Sequence, residues 1–273
     1  MRKTIRNSTI VAVTGLLMAF NATADDKIVM DGSTTVGPIA KSFAEYYMKA
    51  NPNVNITVSE SGSGNGAKSI INGTCDIGNM SRPMKSSEKK SAKDSGVMPI
   101  EHIIAMDGIA VIVHPSNPAK GLTVAQLRDI YNGKIKSWKE LGGPDSKIVV
   151  ISRDTNSGTY ETFETMVMNK EKMASGVEYV GSNGAIRQRV LSTENAIGYV
   201  GLAFLEGVKS LEVNNVMPSE DTVRNKTYPI SRPLYMYTKG RPKEGTHLFN
   251  FINLYNTTEG KKIIADTGFV PMN

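Results

Sequence analysis

Arg153-Asp154-Thr155-Asn156-Ser157-Gly158-Thr159 gathers residue types that grip a small oxyanion. Arg153 offers a fixed guanidinium fork, Ser157 and Thr159 offer hydroxyl donors, and Gly158 lets backbone amides come close. The stretch follows the apolar run Ile148-Val149-Val150-Ile151 and precedes Tyr160-Glu161-Thr162-Phe163-Glu164-Thr165-Met166, whose apolar residues have helical spacing. These seven residues therefore span a strand-to-helix turn, where the first N–H groups of the helix lack intrahelical partners and carry partial positive charge. Ser157 as a plain N-cap and Arg153 as a solvated surface residue would account for this one stretch equally well.

The arrangement recurs twice. Strand-like Ile28-Val29-Met30 leads into Asp31-Gly32-Ser33-Thr34-Thr35-Val36-Gly37-Pro38, and Ile39, Phe43, Tyr46 and Tyr47 then mark an amphipathic helix closing near Asn51-Pro52. Strand-like Asn55-Ile56-Thr57-Val58 leads into Ser59-Glu60-Ser61-Gly62-Ser63-Gly64-Asn65-Gly66, after which Ala67, Ile70 and Ile71 have helical spacing. Three such helix starts around one point would each favour an anion by about 0.3–1 kcal/mol. Hydrogen bonds to a charged group add about 1.5–3 kcal/mol apiece. One long cation, Arg153, among many neutral dipoles suits a small dehydrated dianion, whereas a nucleotide would also need a base pocket.

The remaining elements must hold those turns in place. Asp76-Ile77-Gly78-Asn79-Met80 reads as a strand with Ser81-Arg82-Pro83 at its end, and 85–96 as a solvated helix. The apolar run 103–113 is too long for one ordinary strand; the spacing suggests a strand crossing between domains, broken at a hinge, Asp107-Gly108. Helices are expected over 124–131, 138–141 and 184–191, strands over 196–200 and 208–213, and a return crossing over 228–238. Two final helices, 246–255 and 257–266, would pack on the first domain. Alternating short strands and helices indicate an α/β fold, and two crossings make the first domain discontinuous.

Met1 to Ala24 has Arg2, Lys3 and Arg6 before an apolar segment and then Ala22-Thr23-Ala24, the pattern of a secretory signal peptide cleaved after Ala24. An exported, soluble protein is expected. Three of the 32 basic residues and none of the 26 acidic ones fall there, so the formal charge drops from +6 to +3. That excess is too small and too dispersed for a nucleic-acid binder. Cys75, the only cysteine, excludes an internal disulfide and reads as a small core residue. Gly-x-Ser-x-Gly is absent, and His102, His114 and His247 are scattered without metal-ligand spacing, so neither a hydrolase elbow, a metal nor a cofactor is expected. A phosphatase or an extracellular adhesion module remains as a less favoured reading.

The chain resembles the phosphate-binding subunit of the bacterial high-affinity phosphate uptake transporter (PstS type), within the type II periplasmic binding proteins. The resemblance spans essentially all of the chain after the signal. It rests on Gly32-Ser33-Thr34-Thr35-Val36-Gly37-Pro38, Gly62-Ser63-Gly64-Asn65-Gly66, Asp76-Ile77-Gly78, Asp129-Ile130-Tyr131-Asn132-Gly133-Lys134-Ile135-Lys136-Ser137-Trp138, Arg153 with Ser157-Gly158-Thr159, and Ala196-Ile197-Gly198-Tyr199-Val200. The resemblance implies a periplasmic two-lobed clamshell, each lobe a mixed sheet flanked by helices, joined by two crossing strands. Its lobes would be 25–106 with 231–273, and 107–230. It implies a monomer, not an enzyme, that holds inorganic phosphate and delivers it to the membrane permease of an ABC transporter. The implied contacts are the Thr34 hydroxyl, the Thr35 amide, Ser63, Ser81, Arg153, Ser157, Gly158 and Thr159, with Ser33, Gly64, Arg82, Asp107 and Asp154 as further candidates. Ser81 stands where the best-known members of the family have an Asp that accepts the proton of hydrogen phosphate. Sulfate, molybdate or tungstate thus stays open as the ligand, with Asp107 or Asp154 as substitute acceptors and Arg82 as a second cation.

Overall fold

The computed structural model describes residues 27–272, so the segment read as a signal peptide lies outside the described residues. Its strands are β1 (Lys27–Gly32), β2 (Asn55–Glu60), β3 (Ile77–Met80), β4 (Ile100–Val113), β5 (Gly121–Leu122), β6 (Val149–Arg153), β7 (Glu178–Val180), β8 (Ala196–Gly201), β9 (Lys209–Val213), β10 (Ser231–Thr238) and β11 (Val270–Pro271). Its α-helices are α1 (Gly37–Ala50), α2 (Ser63–Ile71), α3 (Ser86–Asp94), α4 (Val124–Tyr131), α5 (Gly158–Met166), α6 (Asn183–Leu191), α7 (Glu220–Arg224), α8 (His247–Ile252) and α9 (Thr258–Asp266). Side chains start several of them. The hydroxyls of Thr123, Ser157, Ser182 and Thr257 accept the otherwise unpaired amides of the first turns of α4, α5, α6 and α9.

β1 pairs in parallel with β2 and β3, with α1 and α2 as the crossovers. β10 lies antiparallel between β3 and β4. The ladder of β4 with β10 ends at Gly108, and from Ile109 onward β4 pairs instead with β8 and β9. β6 then runs parallel to β8 and to β7. The result is a mixed α/β fold of two lobes, each a sheet flanked by helices, with β4 belonging to both.

Each lobe has its own core. Ile28, Met30, Ile39, Phe43, Ile104, Leu234, Met236, Phe251 and Ile264 pack together in the first, which carries α8 and α9 as the sequence suggests. Val111, Leu127, Tyr131, Trp138, Phe163 and Tyr199 pack in the second, joined by Tyr228 and Ile230 from the returning chain. Burial of each such side chain contributes about 1.5–3 kcal/mol. Cys75 is a free, buried cysteine packed with Ile70 and Met80, and burial pushes its thiol up to about 12.

The expected break at Asp107-Gly108 is not there: β4 runs through both residues as one strand. Asp107 is tolerated inside it because its carboxylate is paired with Arg232 and accepts the Leu202 amide at 3.0 Å. Short pieces that the spacing did not suggest, β5, β7, α7 and β11, fill the edges.

α2 lies so close to the sheet that a Cβ on Gly66 would sit 2.9 Å from the carbonyl oxygens of Asn79 and Asp31 and from Gly32 Cα. All three are backbone atoms and cannot swing aside. Gly66→Ala is expected to cost about 1–3 kcal/mol in a urea unfolding series; an unchanged midpoint would contradict this packing.

Candidate functional site

Strand-to-helix turns bring the site together. The β1–α1 turn carries Ser33, Thr34 and Thr35, the start of α2 carries Ser63, the end of β3 is followed by Ser81, and the β6–α5 turn carries Ser157, Gly158 and Thr159. All of these side chains are buried. Thr35 Oγ1 lies 3.0 Å from Thr159 Oγ1, and Ser63 Oγ lies 3.3 Å from Ser81 Oγ, so the turns do meet at one point. Gly158 fits between them because a Cβ there would fall 2.5 Å from Ser63 Oγ and 2.7 Å from Ser81 Oγ. Aromatic packing steadies the arrangement: Phe163 of α5 stacks on Tyr199 at 4.0 Å, and the Tyr199 hydroxyl meets Ser152 Oγ at 2.7 Å and the Arg153 amide at 3.3 Å.

Arg153, the last residue of β6, is 1% exposed. Its Nη2 donates to the Gly181 carbonyl at 2.8 Å, while its Nε and Nη1 are buried with no hydrogen-bond partner among the described residues. Burial lowers its pKa to about 10, with Asp154 opposing the shift, so the guanidinium stays charged at neutral pH.

A second buried cation, Arg232 of β10, was not foreseen as part of the site. Its Nε and Nη2 lie 3.1 and 2.9 Å from Asp107 Oδ2, its Nη1 donates to the Ser81 carbonyl at 3.1 Å, and its Nη2 donates to Thr159 Oγ1 at 3.0 Å. Burial raises the Asp107 pKa while Arg232 pulls it back, and the two form an ion pair. Asp107 thus reaches the centre through Arg232 and is not a spare acceptor. The signal was available: two apolar crossing runs each contain one charge, of opposite sign. Asn183 was also missed. It is fully buried at the start of α6, and its Nδ2 donates to Thr34 Oγ1 at 3.1 Å and Thr35 Oγ1 at 3.0 Å. Its preceding strand, β7, is only three residues long, which hid a fourth strand-to-helix turn.

Several further candidates are committed elsewhere. Arg82 faces Glu88 at 2.7 Å and Glu161 at 2.9 Å, with Lys85 also on Glu161, so it is not a second free cation for the centre. Asp154 accepts the Asn156 amide at 2.8 Å and shapes its own turn. The Gly64 amide donates to the Asn156 carbonyl at 2.9 Å, strapping the α2 start to the turn before α5. Ser33 Oγ accepts the Thr35 amide at 3.1 Å, so that amide is engaged and the Thr35 hydroxyl faces the cluster instead. Ser157 Oγ likewise caps the Thr159 amide.

Of the buried cations, Arg153 is the one without an ion pair among the described residues, and it adjoins the turn that carries Ser157 and Thr159 in the hydroxyl cluster. None of the three histidines joins it: His102 meets Thr238, His114 meets Ser116, and His247 meets Tyr47. No group of three metal-ligating side chains occurs among the described residues. Such a shell can bind and desolvate an anion; it lacks a nucleophile paired with a base.

A sequence model of the PBP superfamily domain matches residues 19–255. Protein SphX of Synechococcus elongatus is 33% identical over 261 residues, spanning 90% of this chain and 77% of its own. The phosphate-binding protein PstS of Staphylococcus epidermidis is 35% identical over 253 residues, spanning 88% and 77%. Among solved structures, a Clostridium perfringens chain described as a candidate phosphate ABC transporter substrate-binding protein, with phosphate bound, superposes with a TM-score of 0.83 at 36% identity, covering 90% of this chain and all of that one.

Removing one member of the Arg232–Asp107 pair strands the other in the interior. Asp107→Leu or Arg232→Met alone is expected to cost about 3–5 kcal/mol of stability, and the double variant clearly less than the sum. Urea unfolding of the four proteins measures this; additive losses would contradict a tight buried pair.

Proposed function

The chain belongs to the PBP superfamily, and on that premise we propose that it is the substrate-binding protein of a phosphate ABC transporter. It captures one inorganic phosphate in the cleft between its lobes, 25–106 with 231–273 and 107–230, and hands it to the membrane permease. It acts outside the cytoplasmic membrane after cleavage behind Ala24, as a monomer and without chemistry of its own.

The observation that carries this reading is Arg153, a buried guanidinium at the end of β6, next to the turn of Ser157 and Thr159, with two nitrogens that have no partner among the described residues. A cation so placed is stabilised by an anion that supplies its missing acceptors. Charge balance selects the guest. Arg153 contributes one unit, and the N-termini of α1, α2 and α5 contribute about half a unit each, so the centre matches a small dianion. Thr34, Thr35, Ser63, Ser81, Ser157 and Thr159 with the Gly158 amide supply neutral donors that grip a dehydrated tetrahedral ion from several sides. Among the described residues Ser81 Oγ has only Ser63 Oγ as a hydrogen-bond partner, which leaves it free to accept a proton from hydrogen phosphate. A hydroxyl can also turn and donate, which a carboxylate cannot, so sulfate is the second ligand this site admits.

Titration calorimetry of protein freed of phosphate by unfolding and refolding is the direct test. Tight binding of one phosphate per chain is expected, and no heat of binding would overturn the reading. Arg153→Ala is expected to weaken binding by about 2–5 kcal/mol, roughly 30- to several-thousand-fold; near-unchanged affinity would mean that the guanidinium faces solvent. Ser81→Ala is expected to lower the phosphate-to-sulfate affinity ratio about tenfold, and an unchanged ratio in competition calorimetry would remove Ser81 as the proton acceptor.

A further inference from the structure

An N–H group can only donate, so an N–H aimed at a hydroxyl oxygen obliges that hydroxyl to send its own proton elsewhere. The orientation of the buried Asn183 amide is fixed from outside: the Gly201 backbone N–H donates to Oδ1 at 3.2 Å. Nδ2 must then be the atom that meets Thr34 Oγ1 and Thr35 Oγ1, at 3.1 and 3.0 Å. Thr34 Oγ1 has no other hydrogen-bond partner among the described residues, so its proton is free to point at a ligand. Arg232 Nη2 has two protons: one goes to Asp107 Oδ2 at 2.9 Å, and the other lies between Thr159 Oγ1 at 3.0 Å and Thr35 Oγ1 at 3.4 Å. One hydroxyl proton is shared between the Thr35 and Thr159 oxygens, 3.0 Å apart, and the other is left over.

Resting on the phosphate reading above, we propose that Asn183 is a positioning residue that sets the direction of the hydroxyl protons in the anion shell. It biases Thr34, and the Thr35–Thr159 pair taken together, from groups that could donate or accept towards presenting one proton each to the guest. That corner of the site then demands an oxygen without a proton, and any proton on the guest is directed towards Ser81. Asn183 belongs to the lobe of α6 and the two threonines to the lobe of β1, so the polarity exists only when the lobes meet. Closure and recognition of the guest's protonation state thereby become one event.

The test uses the full exported protein, with inorganic phosphate as the probe, in calorimetry from about pH 5 to about pH 8. Asn183→Asp keeps the shape but presents only acceptors when ionised, so the threonine protons turn towards it and away from the ligand. When its carboxyl is protonated, one donor returns. The ratio of variant to wild-type affinity is the quantity compared, because titration of phosphate and of the neighbouring Arg153, Arg232 and Asp107 is common to both proteins. A loss of roughly 100-fold at about pH 8 is expected, shrinking to roughly tenfold at about pH 5. A loss that does not change with pH, or none, overturns the proposal. Asn183→Leu, similar in volume with no hydrogen-bonding group, is expected to lose roughly tenfold at every pH. It decides the matter if the Asp variant does not fold, and affinity within about twofold of wild type overturns the proposal. Wild-type protein that fails to bind phosphate sinks the phosphate reading itself, and the proposal with it. Wild-type binding with unaffected variants sinks only the role of Asn183.

Discussion

A buried positive charge with no ion pair among the described residues is the constraint on which the rest of this structure turns. Arg153 is pressed into the interior by the end of β6 and held by the Gly181 carbonyl, while two of its nitrogens stay unpartnered. Arg232 is matched to Asp107 and Arg82 to Glu88 and Glu161, whereas Asp154 acts on Arg153 without forming an ion pair among the described residues. Desolvating a lone guanidinium costs several kcal/mol. Among the described residues the fold accepts that cost at this point, where helix starts and hydroxyls make the surroundings hospitable to a negative guest.

Holding those groups in register falls to β4. Its first part is paired with β10 in one lobe and its last residues with β8 and β9 in the other, so the two halves of the site hang from one strand. Arg232 and Asp107 face each other across the ladder of β10 and β4, so this charge pair sits on the strand that both lobes share. From there Arg232 reaches the Ser81 carbonyl and the Thr159 hydroxyl, tying β3 and α5 to the same axis.

Much of this was legible in the chain. Three turns of hydroxyl and glycine residues between an apolar run and a helical pattern announced the oxyanion corners, because backbone geometry and side-chain chemistry there depend on local sequence. What escaped depends on distant partners. Asp107 looked like an interruption because its neutralising partner stands 125 positions later, and only the pairing of β4 with β10 brings the two together. Arg82 looked like a ligand until Glu161, from another lobe, claimed it. The Thr35 amide looked free because a Ser33 cap, two residues earlier, is one of several conformations that sequence permits. Asn183 follows a strand too short to show alternation.

The lone thiol has a practical corollary. Cys75 is enclosed and disfavoured as thiolate by the apolar packing around it and by Asp31 and Asp76. Maleimides and disulfide exchange require an accessible thiolate, so this sulfur is effectively silent towards them. A single cysteine introduced on the surface can therefore carry a fluorescent dye without deleting the native one, so the label reports from the chosen position alone.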